Sequence, residues 1–177
     1  MMVIRKQLIV EAPAERAYRV FSENMGLWWP REHHIGGSPL KDCIVEPRVN
    51  GRWYELCEDG SQCDWGKVLT WDPPRRVVLA WQLNSEFKYD PSLVTEVEVS
   101  FTALGPRRTQ VDFEHRNLER LGAAAERLRK DMDQGWGRFS RVSRVLRWTD
   151  THRTDGIAVR LYALPRERRI QERPARW

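Results

Sequence analysis

The residues whose chemistry is clearest from the sequence are a histidine and a glutamate, each on the apolar side of a predicted strand. His115 follows Phe113 by two residues, so both side chains share that face, and a polar group there needs a hydrogen-bond partner. It is either a satisfied core histidine or the group that orients a ligand in an apolar pocket. Glu55, on the same strand face as Trp53, allows the same two interpretations.

A second reactive cluster is Glu32-His33-His34, in a segment that is predicted to be a loop. Adjacent histidines can bind a metal or relay a proton. No third ligand follows at a recognisable spacing, although a cysteine could join them in space. We favour a loop pair that shapes the mouth of a pocket, with Trp29 and His33 at that mouth.

The three cysteines, Cys43, Cys57 and Cys63, form an odd set without paired metal spacing. They fit reduced thiols better than a disulfide framework. The sequence also contains no glycine-rich phosphate loop, nucleophile elbow or zinc-type helix motif. We therefore predict no cofactor, no metal and no assigned catalytic residue.

Nine tryptophans in 177 residues are unusual, and most of them fall in the patterned body of the chain. A tryptophan carries a large apolar area and one N–H donor, so a cluster can build either a core or a ligand cavity. So many large rings are hard to interlock without voids, and a cavity relaxes that demand. The predicted pocket is lined by Trp53, Glu55, Trp65, Trp81, Phe113, His115, Trp136 and Phe139.

These side chains need a sheet and a helix to position them. Turn signals separate a series of short strands, predicted near 3–10, 41–47, 51–58, 61–71, 75–84, 93–104 and 107–117. Short connections imply antiparallel pairing. Two short helices are predicted after the first strand, over 13–21 and 23–29. In the 61–71 strand, Trp65, Lys67, Leu69 and Trp71 share a face, which suggests a bulge near Gly66.

A helix of about 25 residues follows the last strand, with one apolar stripe at three- and four-residue steps. The stripe comprises Leu121, Ala125, Leu128, Met132, Trp136, Phe139, Val142 and Leu146. Only the sheet offers enough apolar surface to cover it. Gly135 and Gly137 flank Trp136 and predict a kink or a close backbone approach there. The expected fold is α+β, with a curved antiparallel sheet gripping a long C-terminal helix.

The charge and hydropathy patterns narrow the functional classes. The net charge is +5, of which residues 149–177 contribute +3, so the basic excess is largely a property of the tail and we predict no nucleic-acid partner. No apolar run approaches the roughly 18 residues that cross a bilayer. We predict a cytoplasmic protein with one domain over 1–148 and a basic extension over 149–177, in which 157–165 could pack back. A homodimer is left open.

Several segments resemble a known family. They are EAPAERAYRVFSENMGLWWP, EPRVNGRWYE, DWGKVLTWDPPRRVVLAWQL, TEVEVSFT and DFEHRNLERLG, followed by the Gly135-Trp136 pair. Together, over about residues 3–147, they look like bacterial proteins of the SRPBCC superfamily, in the group similar to the activator of heat-shock-protein-90 ATPase homologue. The resemblance implies a helix-grip fold and binding of diverse apolar ligands.

Three functions remain open at this point. The first is binding of a hydrophobic or aromatic small molecule between sheet and helix. The second is a cyclase- or hydrolase-like enzyme that uses His115 or His33 with Glu55 as partner. The third is a co-chaperone-like or regulatory interaction protein, which the resemblance alone suggests.

Overall fold

The computed structural model describes residues 2–151, with side chains to residue 147. Seven antiparallel strands form one curved sheet in the order β1-β7-β6-β5-β4-β3-β2. The strands are β1 (Val3–Val10), β2 (Leu40–Val45), β3 (Arg52–Cys57), β4 (Gln62–Asp72), β5 (Arg76–Trp81), β6 (Thr95–Gly105) and β7 (Arg108–Arg116). The predicted strands are all present, and the predicted antiparallel pairing is confirmed.

The predicted bulge near Gly66 is confirmed, and it changes which side chains face inward. Trp53 pairs with Gly66 and Tyr54 with Asp64, so Trp65 is the extra residue. A side chain at Gly66 would overlap the backbone of Ala80 on β5, so only glycine fits there. The expectation that Lys67 and Leu69 share the face of Trp65 is wrong. The bulge shifts the alternation, so Lys67 is exposed, Leu69 is half-buried and Val68 is buried.

Two short helical segments follow β1, as predicted. Pro13 is the N-cap of α1 (Ala14–Ser22) and not part of its first turn. The second segment is only a 3-10 helix over Met25–Leu27. Trp28 and Trp29 follow it directly and are buried, so this turn places two indole rings in the interior.

The long C-terminal helix consists of two α-helices with a tighter segment between them. A 3-10 helix over Leu118–Ala124 leads into α2 (Ala125–Trp136), a 3-10 segment over Gly137–Ser140 follows, and α3 (Arg141–Thr151) completes it. All eight residues of the predicted stripe are buried. The α3 part of the helix packs on α1, and α2 lies next to β1. The α-helix is interrupted after Trp136, as predicted, by this 3-10 segment. A close backbone approach at Gly137 is not found, because an added Cβ would meet no atom of the described residues within 4 Å.

None of the helices in residues 2–151 is long and apolar enough to cross a membrane. The extension over 149–177, including the possible element at 157–165, lies almost entirely outside the described residues. The domain boundary at 148, the cytoplasmic location and the homodimer stay predictions.

Candidate functional site

The space between the sheet and the C-terminal helix is occupied by a cluster of aromatic rings. Trp136 of α2 lies at its centre, with ring centroids 4.5 Å from Phe113, 5.4 Å from Trp29 and 5.9 Å from Trp81. Trp53 and Trp81 are 5.5 Å apart. These are the tilted and edge-to-face spacings of packed aromatic side chains. In this conformation a ligand can enter only if a ring moves.

The sequence-predicted pocket residues all point into this interior. Each is at most 3% exposed: Trp53, Glu55, Trp65, Trp81, Phe113, His115, Trp136 and Phe139. The structure thus brings them into one region, and their role as a ligand site stays a prediction. Trp29, predicted at the mouth, lies inside the cluster and donates its indole N–H to the His33 carbonyl at 2.8 Å. His33 is also buried.

His115 belongs to a directed chain of hydrogen bonds beneath α2. Trp136 Nε1 donates to His115 Nδ1 at 3.2 Å, because an indole nitrogen can only donate. The imidazole proton of a neutral ring must then lie on Nε2, which contacts Thr95 Oγ1 at 2.8 Å. The Thr95 hydroxyl can in turn donate to the Trp81 carbonyl at 3.4 Å. His115 is therefore a satisfied core histidine in this conformation.

The electrostatics of His115 agree with that assignment. Burial lowers its pKa from 6.5 to about 3, because desolvation disfavours the charged ring. No carboxylate among the described residues hydrogen-bonds to it, and Glu55 has other partners. The pKa of His33 is also lowered, chiefly by burial, with Glu32 opposing the shift. The structure does not join either histidine to Glu55 as a hydrogen-bonded acid–base pair within residues 2–151.

Glu55 accepts hydrogen bonds from the loop that follows Pro30. Its Oε2 accepts the backbone N–H of Ile35 at 2.9 Å and the indole N–H of Trp65 at 3.0 Å. Its Oε1 accepts the backbone N–H of Gly36 through a short hydrogen bond. Three N–H groups, one from an indole and two from the backbone, thus stabilise this buried carboxylate. Glu55 is thus the anchor of the loop over residues 33–37.

Two thiols adjoin the same carboxylate. Cys63 is the cross-strand partner of Glu55, and Cys57 lies two residues further along β3 on the same face. Cys57 Sγ is 3.7 Å from Glu55 Oε1. One ligand atom from each of Glu55, Cys57 and Cys63 lies within 4.8 Å of the other two. Burial raises the pKa of the half-buried Cys63 thiol to about 11, with Glu55 adding to the effect.

A small groove reaches the aromatic cluster from outside. It has a volume of about 100 Å³ and lies between β1 and the 3-10 segment of the C-terminal helix. Lys6, Leu8, Trp136, Gly137 and Phe139 are among its lining residues. Its floor is therefore formed by the two rings that α2 and the 3-10 segment contribute to the cluster.

A larger depression of about 490 Å³ lies on the outer face of the sheet. Four of its six charged residues pair with one another: Arg5 with Glu114 at 3.0 Å, and Arg116 with a glutamate of β6, Glu98, at 2.7 Å. Internal pairing of this kind leaves little charge for a ligand, and exposed ion pairs contribute little stability. We therefore place the candidate site in the interior.

Sequence reasoning missed three participants. Thr95 begins β6, and only the pairing of strands shows that it reaches His115. Gly36 contacts Glu55 through its backbone, which has no signature in the sequence. The pairing of Cys63 with Glu55 could have been found by counting outward from the turn at Glu58-Asp59-Gly60.

The fold and the aromatic interior define a helix-grip protein of the SRPBCC superfamily. The model of the family described as Activator of Hsp90 ATPase homolog 1-like protein matches residues 11–142, and the chain belongs to this family. A comparison with curated proteins gave no significant match.

Solved structures support the assignment. An anthrahydroquino-gamma-pyrone synthase, Txn09, solved in complex with the ligand SUM, is 32% identical, with a TM-score of 0.57, 80% of this chain covered and 97% of the other. The self-sacrificing resistance protein CalC from Micromonospora echinospora is 28% identical, with a TM-score of 0.63 and coverage of 87% and 97%. The Aha1 dimer from Colwellia psychrerythraea, at 15% identity and a TM-score of 0.53, covers 81% and 97% and shows the fold alone.

Proposed function

We propose that the protein binds an aromatic small molecule that carries a hydroxyl group, in the space that Trp136 occupies between the sheet and the C-terminal helix. The observation that carries this proposal is the hydrogen bond from Trp136 to His115 at the bottom of an otherwise apolar aromatic cluster. Pockets for small molecules are mostly apolar and contain a few placed polar groups that fix orientation.

The groove beside Gly137 is the proposed entrance. Trp136 and Phe139 form its floor, and an ion pair between Lys6 and Asp133 at 2.7 Å joins β1 to α2 next to it. Both charged groups are partly exposed, so the pair adds little resistance to opening. The 3-10 segment makes this the irregular part of the helix, where small shifts are least costly.

His115 then supplies the polar contact. When Trp136 swings away, Nδ1 of His115 loses its donor, while Nε2 stays bound to Thr95. A buried acceptor without a donor costs about 1–3 kcal/mol, so a ligand that brings its own O–H is favoured over one that does not. The neutral ring, with its pKa lowered by burial, accepts such a hydrogen bond without taking up the proton.

The neighbours support an aromatic ligand. Txn09, whose sequence is 32% identical, is an anthrahydroquino-gamma-pyrone synthase and was solved with a bound ligand. We therefore choose planar hydroxylated polycycles as probes.

The test compares two probes that differ only in the donor. Titration of tryptophan fluorescence with 2-hydroxyanthraquinone, whose hydroxyl lies away from the quinone carbonyls and is free to donate, and with anthraquinone should show tighter binding of the hydroxylated compound, by about fivefold or more, since one hydrogen bond is worth roughly 1 kcal/mol. Trp136→Phe should tighten binding of both probes, because the competing indole N–H is gone. His115→Leu should remove the difference between them.

Trp71→Phe is the matched control, because Trp71 is half-buried and contacts Tyr18 outside the cluster around Trp136. It should leave both affinities unchanged. Equal binding of the two probes by the unmodified protein, or no response to either up to their solubility limits, would rule out the proposed site.

The second candidate function is that of a cyclisation enzyme. The 32% sequence identity to Txn09, a synthase, favours it. An ortho-hydroxyaryl diketone closes to a γ-pyrone when its hydroxyl attacks the carbonyl and water leaves. If His115 orients that hydroxyl, the protein should accelerate ring closure, and His115→Leu should abolish the acceleration. Absorbance of the pyrone product measures the rate; a rate equal to that in buffer rejects this candidate and leaves the binding proposal intact.

A further inference from the structure

The cluster of Glu55, Cys57 and Cys63 lies beneath the loop over residues 33–37 and plays no part in the proposed ligand site at Trp136. We propose that it binds a thiophilic divalent cation such as Zn²⁺, with one carboxylate and two thiolates from the β3–β4 hairpin as ligands.

The donor set and its spacing fit zinc. Zinc takes cysteine sulfur at about 2.3 Å and carboxylate oxygen at about 2.0–2.2 Å in tetrahedral geometry, which places two of its ligand atoms roughly 3.5–3.8 Å apart. Cys57 Sγ and Glu55 Oε1 are 3.7 Å apart, so this pair already has the required separation. Cys63 Sγ lies within 4.8 Å of both, so a small side-chain rotation brings it to the same ion.

The backbone fixes this arrangement. Glu55 and Cys63 face each other across β3 and β4, and Cys57 follows on the same face of β3. The N–H groups of Ile35 and Gly36 orient the carboxylate as outer contacts orient metal ligands, and it keeps lone pairs for an ion.

The loop also closes the site on one side and leaves an approach on another. A Cβ added at Gly36 would lie 2.5 Å from Cys57 Sγ, 2.6 Å from Glu55 Oε1 and 3.4 Å from Cys63 Sγ, so this glycine sits directly over all three ligands. Glu55 and Cys57 are fully buried and Cys63 is half-buried, so an ion enters on the Cys63 side. The fourth position falls to water.

Cobalt binding tests the proposal on tag-free, fully reduced protein. Addition of Co²⁺ should give one equivalent of a tetrahedral complex with a thiolate-to-cobalt charge-transfer band, and Zn²⁺ should displace it. Cys57→Ser and Cys63→Ser should each weaken the band and lower the affinity at least about tenfold, and the double variant should abolish the band. Glu55→Gln should lower the affinity but keep the charge-transfer band.

Cys43→Ser is the matched control. Cys43 is the third cysteine of the chain and is buried; it pairs with Glu55 from β2, but its sulfur is not part of the cluster. It should bind cobalt as the unmodified protein does. A band that survives in the double variant, or that Cys43→Ser removes to the same extent, overturns the assignment.

A second measurement needs no substitution. Zn²⁺ at one equivalent should protect Cys63 of the unmodified protein from alkylation at least tenfold, as mapped by mass spectrometry. An alkylation rate for Cys63 that zinc leaves unchanged overturns the site, even if the serine variants do not fold. Neither readout involves His115 or Trp136, so this test and that of the ligand proposal fail independently.

Discussion

Two buried polar groups at different places in the interior each accept an indole N–H, and they are held in opposite ways. His115 accepts from Trp136 at 3.2 Å and is a neutral ring under the irregular part of the C-terminal helix. Glu55 accepts from Trp65 at 3.0 Å and also from two backbone N–H groups of a loop. The first arrangement depends on side chains, and the second is tied to the backbone.

The difference identifies which part of the interior can open. Moving Trp136 breaks one neutral hydrogen bond, a loss of about 1 kcal/mol that a ligand donor at His115 offsets. Moving the loop strips charge-assisted hydrogen bonds from a buried carboxylate, which costs several kcal/mol. We therefore expect the helix side to admit a ligand and the loop side to act as a fixed wall.

The largest expected change in stability is at Glu55, which holds the loop side of the interior. Glu55→Gln replaces one acceptor oxygen by an NH₂ group that faces N–H donors, so the free energy of unfolding should fall by about 3 kcal/mol. Chemical denaturation measures it. Glu114→Gln, at a partly exposed ion pair with Arg5, is the control and should change stability by less than about 1 kcal/mol. A loss at Glu55 no larger than that at Glu114 would contradict the assigned anchor.

The next largest effect is a pH dependence of stability caused by His115, on the helix side of the interior. Because the pKa of His115 is lowered from 6.5 to about 3, its imidazole binds a proton below pH 6.5 in the unfolded chain but stays neutral in the folded protein until the pH approaches 3. The free energy of unfolding is therefore highest above pH 6.5. It decreases as the pH falls toward 3, by up to about 1.4 kcal/mol per pH unit. Between pH 6.5 and 5 the loss is about 2 kcal/mol.

His115→Gln should remove that part of the slope, since glutamine keeps hydrogen-bonding groups but does not titrate. His33, whose pKa is also lowered, remains in both proteins and cancels in the difference. Denaturation curves at a series of pH values give the free energy of unfolding as a function of pH. Identical slopes for the unmodified protein and His115→Gln would show that His115 is not held neutral by burial.

Paired glycine substitutions give the smallest effect and compare the two regions directly. A Cβ at Gly36 meets the Glu55 carboxylate and the Cys57 sulfur, so Gly36→Ala should destabilise the protein by about 1–2 kcal/mol. A Cβ at Gly137 meets no atom of the described residues within 4 Å, and its backbone is helical. Gly137→Ala should therefore stabilise the helix by up to about 1 kcal/mol.

Gly137→Ala should also slow association of 2-hydroxyanthraquinone, because it stiffens the proposed entrance. Stopped-flow fluorescence measures that rate, and thermal denaturation measures both stability changes. Two alanine variants with the same sign of stability change would remove the distinction between a tight loop and a loose helix segment.

The strands and the helical stripe could be predicted because they depend on local patterns. Alternation and turn residues placed the seven strands, and the spacing from Leu121 to Leu146 placed the helix. The bulge at Trp65 was also foreseen, but not its effect on Lys67 and Leu69, since the phase after a bulge depends on which residue is extra.

The partners within the site could not be predicted. His115 was suspected from its apolar strand face, yet its contacts with Thr95 and Trp136 come from residues 20 and 21 positions away. Glu55 was suspected in the same way, but two of its partners are backbone N–H groups, which any residue type supplies. The sequence therefore indicated which groups needed partners, and the fold determined which partners they have.

The central claim is that a ligand replaces Trp136 at His115 and leaves the loop side undisturbed. The most direct measurement is a titration of ¹⁵N-labelled protein with 2-hydroxyanthraquinone, followed by NMR of the indole N–H signals of Trp136 and Trp65. We predict that the Trp136 signal moves away from its hydrogen-bonded position, while the Trp65 signal, bonded to Glu55, stays. Binding that leaves the Trp136 signal in place, or that shifts both signals alike, would contradict the account.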